Sequence, residues 1–467
     1  MNVNPITRLD YPDPDVIRVE DTYYMVSTTM HFMPGCEILQ SFDLVHWEHV
    51  TYVYETLDHT DAQQLKSGQN IYGQGMWAAS LRYHEGRFYI CFVANDTRKT
   101  YLYTSEKIDG PWKKQLIEGF YHDGSLLFDE DGRNYIVYGN DEIWITELNE
   151  DLTAPKKDGL HRLLVSDHKN PELGYEGSHI QKINGYYYIF LIHSLRDRWM
   201  RTEACFYSDS LEGEFTGGDV LCDDRGYCGQ GVAQGGIVDT PDGKWYAMLF
   251  QDSGAVGRIP ILLPVTWKDH FPVFGQNGHV PEEIEVHSTR PGYIYQPLVG
   301  SDDFCNGLLP RWQFNHDPDP RYYHLDALQG TYTITTREVC TELTQAVNTL
   351  TQRMSYPSCA AEVTVDASAL KEGDVAGLCA LQGCYAAVGI TKHHGKYEVL
   401  MLDKKEDGIL DMTEGTVVES HQMDFRLEAD FCNMKDEARC YYRVNKGDWL
   451  PIGTVHKLYF KLDHFTG

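Results

Sequence analysis

A turn that delivers a tyrosine recurs five times in this chain and constrains its fold more than any other feature. The five turns read V-E-D-T-Y-Y, H-E-G-R-F-Y, E-D-G-R-N-Y, I-N-G-Y-Y-Y and P-D-G-K-W-Y, ending at Tyr24, Tyr89, Tyr135, Tyr188 and Tyr246. Short strands joined by Gly, Asp and Asn turns, repeated at this length, are typical of β-propellers. The sequence therefore predicts an all-β fold with a five-bladed β-propeller over residues 1–297.

The residue about twelve positions before each of these tyrosines is chemically distinctive. Counting back 12 residues, or 11 in the first repeat, reaches Asp13, Trp77, Asp123, Glu176 and Gln234. Equivalent positions in five blades surround one central mouth, so three carboxylates are expected to face one another there. Glycosidic bond cleavage needs an acid and a second carboxylate on opposite faces of the sugar. The alternative is that acidic residues at strand starts only bind turn amides.

Carboxylates this close affect one another's ionisation. Each negative charge raises the proton affinity of its neighbours, so one carboxyl of the three can stay protonated near neutral pH. The ring is therefore predicted to contain both an acid and a base.

Charge and composition exclude several classes of partner. The formal net charge is −29, from 69 acidic and 40 basic residues. Such a surface repels phosphate backbones and anionic lipids, which argues against nucleic acid or membrane partners and favours a neutral substrate. The chain begins without a charged segment followed by an apolar run, which predicts a cytoplasmic protein whose 12 cysteines are reduced.

The composition changes near Ser301. Short β-branched runs such as T-Y-T-I-T-T, A-A-E-V-T-V and K-Y-E-V-L-M recur between Gly, Asp and Asn turns. They predict a β-sandwich over residues 301–467, joined to the propeller by a short structured linker rich in Pro and Gly. The sandwich is expected to pack against the propeller and to close one side of the pocket. The closing segment F-K-L-D-H-F-T-G is expected to form a strand and its turn.

Three motifs resemble those of glycoside hydrolase family 43. They are Y-P-D-P-D-V-I-R-V, H-D-G-S-L-L-F-D-E-D-G-R-N-Y and Y-E-G-S-H-I-Q-K-I-N-G-Y-Y-Y, in the family's order and spacing. The C-terminal part is similar to the concanavalin A-like β-sandwich of xylosidase-like members. The resemblance implies that Asp13 is the general base, Glu176 the general acid, and Asp123 the residue that raises the pKa of the acid and orients it.

The resemblance also implies substrate-binding residues. Arg258 matches an arginine that reaches the bound sugar, while Phe32 and Trp77 match aromatic residues that wall the sugar pocket. Gln234 stands where many members have a histidine associated with calcium. An amide oxygen can bind water or a cation but cannot titrate. We therefore expect no cofactor requirement and no protein metal ligands, and regard a Ca²⁺ ion in the propeller channel as compatible with this position.

The favoured function is an exo-acting, inverting hydrolase that removes terminal α-L-arabinofuranosyl residues from arabinoxylan and xylan oligosaccharides. Gln234 in the fifth repeat favours the arabinofuranosidase-rich branch of the family over its dedicated xylosidases. A β-D-xylosidase, or an enzyme with both activities, is the first alternative. A carbohydrate-binding propeller without catalysis is the second, and the sequence leaves the oligomeric state open.

Overall fold

The computed structural model describes residues 2–413 and 415–461, and it is all-β apart from three short 3₁₀ helices. No helix in that part of the chain is both long and apolar enough to span a bilayer. All twelve cysteines are free thiols, and five of them are exposed.

Five four-stranded antiparallel sheets form the propeller, and each runs from its innermost to its outermost strand in chain order. Blade 1 comprises Asp15–Val19, Thr22–Val26, Gly35–Ser41 and Glu48–Tyr54, and blade 2 comprises Met76–His84, Arg87–Ala94, Lys99–Ser105 and Lys113–Ile117. Blade 3 comprises Ser125–Phe128, Asn134–Asn140, Glu142–Leu148 and His161–Ser166. Blade 4 comprises Glu176–Ile183, Tyr186–Ser194, Arg201–Ser208 and Thr216–Leu221, and blade 5 comprises Ala233–Asp239, Trp245–Asp252, Arg258–Lys268 and Phe271–Phe274.

Apolar packing between neighbouring blades closes the ring. The innermost strands of adjacent blades lie against one another all the way round, including blade 5 against blade 1. A separate buried cluster fills each of the five interfaces. At the closing interface Val16 and Leu39 of blade 1 pack with Val238 and Leu262 of blade 5. Each such side chain contributes roughly 1.5–3 kcal/mol by leaving water, so the fold is stabilised mainly between blades.

The C-terminal part is a two-sheet sandwich packed on blade 5. One sheet contains Ser358–Asp366, Gln422–Asp430, Glu437–Arg443 and Leu450–Lys457, and the other contains Val375–Ala380, Ala386–His393, Lys396–Lys404, Leu410–Met412 and Thr416–Val418. Ala255, Val256 and Ile259 of blade 5 belong to the same buried cluster as the sandwich core. The two parts of the molecule therefore share one apolar core.

A small third sheet lies between the propeller and the sandwich. Its strands are Leu350–Thr351, Gln313–Asn315 and Phe32–Met33, the last of which belongs to the propeller. The remaining strands are the pairs Asn2–Val3 with Glu283–Ile284 and Tyr323–Asp326 with Thr331–Ile334, and the 3₁₀ helices are Lys66–Gly68, Leu343–Gln345 and Cys432–Met434.

The predicted linker is ordered along the outside of blade 1. The amide of Thr289 donates to Phe42 O at 2.8 Å, and Arg290 pairs with Asp21 at 2.8 Å. The boundaries at residues 297 and 301 stay predictions. The predicted closing strand falls largely on residues 462–467, outside the described residues.

Candidate active site

Strand pairing corrects the sequence count at two of the five repeated positions. Tyr135 and Tyr246 pair with residues eight positions upstream, whereas Tyr24, Tyr89 and Tyr188 pair with residues seven upstream. The hairpin turns of blades 3 and 5 are therefore one residue longer. The position held by Asp13, Asp123 and Gln234 in blades 1, 3 and 5 is consequently held by Ala78 in blade 2 and by Gly177 in blade 4. Trp77 and Glu176 lie one residue before that position, so their placement in a single register with the others was wrong.

The five equivalent positions share a left-handed backbone and surround the channel. Their φ angles lie between 40° and 68°, and they are Asp13, Ala78, Asp123, Gly177 and Gln234. All five line one narrow cavity of about 10 Å³, with room for about one water molecule. Glycine is required in blade 4, because a Cβ on Gly177 would lie 2.7 Å from Cγ of Gln234. The five repeated positions thus line the channel. Trp77 and Glu176 lie one residue before the repeated positions of blades 2 and 4.

Asp13 is locked in place by a guanidinium and a hydroxyl. Arg258 Nη1 lies 2.9 Å from Asp13 Oδ1, and Thr28 Oγ1 donates to Asp13 Oδ2 at 2.5 Å. The side chains of Asp13 and Arg258 are only 3% and 4% exposed. Thr28 also accepts the amide of Ala78 at 2.8 Å, which ties blade 1 to blade 2. Charge-assisted bonds of this kind hold the carboxylate in one orientation.

Two buried arginines share a second carboxylate beneath Asp13. Arg258 Nε lies 3.7 Å and Arg201 Nε 3.3 Å from Asp252, one at each carboxylate oxygen. The Arg258 guanidinium also lies 5.1 Å from the ring centre of Phe250 and 5.7 Å from that of Trp77. Arg258 therefore lies between Asp13 and the indole of Trp77.

Glu176 has different partners, which are the amide of Asn140 and the titratable imidazole of His122. Asn140 Nδ2 donates to Glu176 Oε2 at 2.7 Å, and His122 Nε2 lies 3.4 Å from the same oxygen. His122 Nε2 is also 3.6 Å from Asp123 Oδ2. Asp123 in turn accepts the amide of Gly177 at 3.0 Å, which fixes the backbone beside Glu176. Blades 3 and 4 are thus joined through one imidazole and two carboxylate oxygens, Oε2 of Glu176 and Oδ2 of Asp123.

The pKa values divide these groups in an unexpected way. Burial raises the pKa of Asp123 to about 6, against the opposing charge of His122, and the charges of Glu176 and Asp13 raise it further. The Asp123 carboxylate raises the pKa of His122 to about 9, despite burial. Burial also raises the pKa of Glu176, but His122, Arg201 and Arg258 outweigh it, so the net direction is downward. Near neutral pH the proton of this group therefore resides on His122, whereas the sequence led us to expect it on a carboxyl.

The two predicted aromatic residues lie shortly after Met30 and Met76, which pair with each other across blades 1 and 2. Trp77 is partly exposed, and its Nε1 donates to Gly73 O at 3.3 Å. Phe32 is 9% exposed, stacks on His31 at 4.3 Å and pairs in the third sheet with Asn315. Gln234 is buried, and its backbone amide donates to Glu203 at 2.7 Å. It lines the channel beneath the mouth.

The channel could hold one hard cation or a water molecule. Asp15 Oδ1 and Ser178 Oγ are buried there without a hydrogen-bond partner among the described residues. His179 also lines the channel, with Nδ1 bonded to Gly177 O at 2.9 Å and Nε2 3.9 Å from Asp15. An oxygen-rich set of this kind fits Ca²⁺. His122, Asp123 and Glu176 also approach within 4.8 Å. Because the His122 imidazole contacts both carboxylates, ion pairing accounts for this cluster, and we assign no metal to it.

Four residues of the site were missed by sequence reasoning. His122 directly precedes Asp123 in the H-D-G-S motif, so its position was visible although its contact with Glu176 was not. Thr28, Asn140 and Arg201 lie at mouth-side ends of second and third strands, where no local motif marks them. Only strand pairing brings these three to the carboxylates.

The mouth of this five-bladed propeller holds one carboxylate paired with an arginine and a second that contacts an imidazole. Two carboxyl groups across one mouth are what a glycoside hydrolase uses to cleave its bond. Known sequences agree. Glycosyl hydrolases family 43 matches residues 3–272, and the Beta xylosidase C-terminal Concanavalin A-like domain matches residues 301–467. The chain belongs to glycoside hydrolase family 43.

Individual relatives support the same class. A β-xylosidase of Formosa agariphila is 28% identical, with 86% of this chain and 76% of the relative covered. A non-reducing end α-L-arabinofuranosidase of Bacteroides ovatus is 25% identical, over 70% of this chain and 63% of the relative. A solved structure from Bacteroides eggerthii, described as a bifunctional GH43-CE, superposes with a TM-score of 0.92 at 40% identity. It covers all of this chain, which spans 60% of that longer protein.

Proposed function

We propose that this glycoside hydrolase removes terminal pentosyl residues from arabinoxylan and xylan oligosaccharides with inversion, in an exo mode. The contrast between Asp13 and Glu176 is the observation that carries the proposal. Asp13 is buried and paired with Arg258, whereas Glu176 contacts the protonated imidazole of His122. One carboxylate suits a base that stays ionised, and the other suits an acid that is reloaded.

The proposed reaction is a single displacement. Asp13 accepts a proton from water as the water oxygen attacks the anomeric carbon, and the glycosidic C–O bond breaks as Glu176 protonates the leaving oxygen. Because Glu176 is ionised at rest, its proton comes from His122, 3.4 Å away. Asp13 then loses its proton to solvent, and His122 regains one. Asp123 holds Gly177 and keeps a negative charge beside the imidazole.

Exo action is supported by the side of the mouth that the C-terminal part covers. Asn315 pairs with Phe32, and Asp317 N donates to Gln63 O at 3.0 Å. The first contact is made to blade 1 and the second to the connection between blades 1 and 2. A long chain crossing the mouth in that direction would meet residues 315–317 of the C-terminal part, so a chain end is the better fit.

The choice of pentose is the finer part of the proposal. The sequence hypothesis favours α-L-arabinofuranosides because of Gln234, while relatives named for either activity match the chain and favour neither. Comparing kcat/KM on 4-nitrophenyl α-L-arabinofuranoside and β-D-xyloside tests it. We expect the arabinofuranoside to be the better substrate. A tenfold preference for the xyloside, about 1.4 kcal/mol, would make β-xylosidase the principal activity, and no hydrolysis of either would refute the pentosidase proposal. The cytoplasmic location and the lack of a cofactor requirement stay predictions.

A further inference from the structure

The connection between blades 1 and 2 is held by residues of the C-terminal part. It runs from residue 55 to residue 75 and contains only the 3₁₀ turn Lys66–Gly68 as regular structure. His59 pairs with Asp317 at 2.7 Å, and Arg337 donates to the carbonyls of Gln64 and Leu65 at 3.1 Å each. Loops without strands need such partners for their backbone polar groups. The first half of the connection is therefore bound to the C-terminal part, upstream of the residues that lead to Trp77.

Two buried histidines complete this contact at the end nearest the mouth. Ile71 N donates to His316 Nε2 at 3.1 Å, and Gly73 N donates to His31 Nδ1 at 3.1 Å. The two rings are 4.7 Å apart, and both residues are fully buried. A ring nitrogen that accepts an N–H carries no proton, so both imidazoles are neutral. Burial, which lowers the pKa of His31 to about 3, agrees with that assignment.

The same histidines reach the walls of the pocket. His31 stacks on Phe32 and lies 4.6 Å from the ring of Tyr72. Gly73, whose amide binds His31, accepts the indole N–H of Trp77 through its carbonyl. His316 has a φ of 75°, a conformation that costs energy for a residue with a side chain. Its Nδ1 bonds Asn315 Oδ1 at 3.0 Å, which aims the ring at Ile71.

We propose that His316 is a positioning residue for the sugar pocket, delivered by the C-terminal domain. Its neutral ring, stacked on His31, accepts the Ile71 amide and fixes residues 71–77, and so fixes the indole of Trp77 and the ring of Phe32. The statement that these rings contact a sugar rests on the proposed function. The fixing of the segment does not.

Hydrogen exchange tests the proposal without any substrate. Measured on the whole chain, His316→Leu removes the acceptor, so amide exchange in residues 69–77 should accelerate by at least about tenfold. His316→Gln places an amide oxygen near the position of Nε2 and should keep wild-type protection. His324→Leu, at an exposed histidine of the same domain, is the matched control and should also exchange as wild type. Unchanged exchange in His316→Leu would overturn the proposal.

Kinetics on the 4-nitrophenyl pentosides then test the link to the pocket. His316→Leu should raise KM by about fivefold with a smaller change in kcat, because the walls are displaced while the carboxylates stay in place. His316→Gln should restore KM. If His316→Leu fails to fold, His316→Gln still decides: loss of protection in that variant would show that the acceptor is not what matters. A wild-type protein inactive on both pentosides would refute the proposed function, while the exchange result would still decide the role of His316.

Discussion

The two sides of the mouth hold their carboxylates in opposite ways. On the side of blades 5 and 1, Asp13 is 3% exposed and bonded to Arg258, whose positive charge is permanent. On the side of blades 3 and 4, Glu176 is 22% exposed and faces His122, which is 35% exposed and can titrate. A base must remain ionised and aimed at one water, whereas an acid must give up a proton and recover it. The difference in burial and partners follows these two requirements.

Replacing the locked carboxylate should have the largest effect. Asp13→Asn keeps the shape but cannot accept a proton, so kcat should fall by about 10³-fold or more on every substrate, whatever its leaving group. Initial rates on an oligosaccharide and on a nitrophenyl glycoside measure it. Asp209→Asn, at an exposed position, is the control. A loss restricted to poor leaving groups would mean that Asp13 is the acid instead.

Replacing the carboxyl on the other side should separate the two kinds of substrate. Glu176→Gln should lower kcat on natural oligosaccharides by about 10²–10⁴-fold, but should act much less on nitrophenyl glycosides, whose leaving groups need little protonation. The ratio of the two losses is the measurement, with Glu172→Gln as an exposed control nearby. Equal losses on both substrates would contradict the assignment of Glu176 as the acid.

The ionisation of His122 gives a smaller effect with a definite sign. If His122 carries the proton at rest, the alkaline limb of the kcat/KM profile reports its pKa of about 9. His122→Gln removes that carrier, so the limb should move to lower pH, toward the ionisation of Glu176 itself. His168→Gln, an exposed histidine, should leave it unchanged. A limb that moves to higher pH would show that His122 only lowers the pKa of Glu176.

The sequence predicts the local features of the site but not the contacts between distant strands. The five repeats and the three carboxylates were visible because turns and strand starts are local features. The register of Trp77 and Glu176 was missed, since a hairpin turn one residue longer changes the count without changing its composition. Partners from distant strands, such as Asn140 and His316, depend on pairing across blades and domains, which no local pattern encodes.

The stereochemistry of hydrolysis decides whether Asp13 acts as a base on water or as a nucleophile. Room for an attacking water between Asp13 and the sugar requires the two carboxyl groups to be about 6.5–9.5 Å apart. Direct attack by the Asp13 carboxylate on the sugar requires a separation of about 5–5.5 Å. Proton NMR during the first minutes of hydrolysis reads the anomer before mutarotation. If Asp13 acts as a base, the first product has the anomeric configuration opposite to that of the substrate. A first product with the configuration of the substrate would contradict it and would make Asp13 a nucleophile.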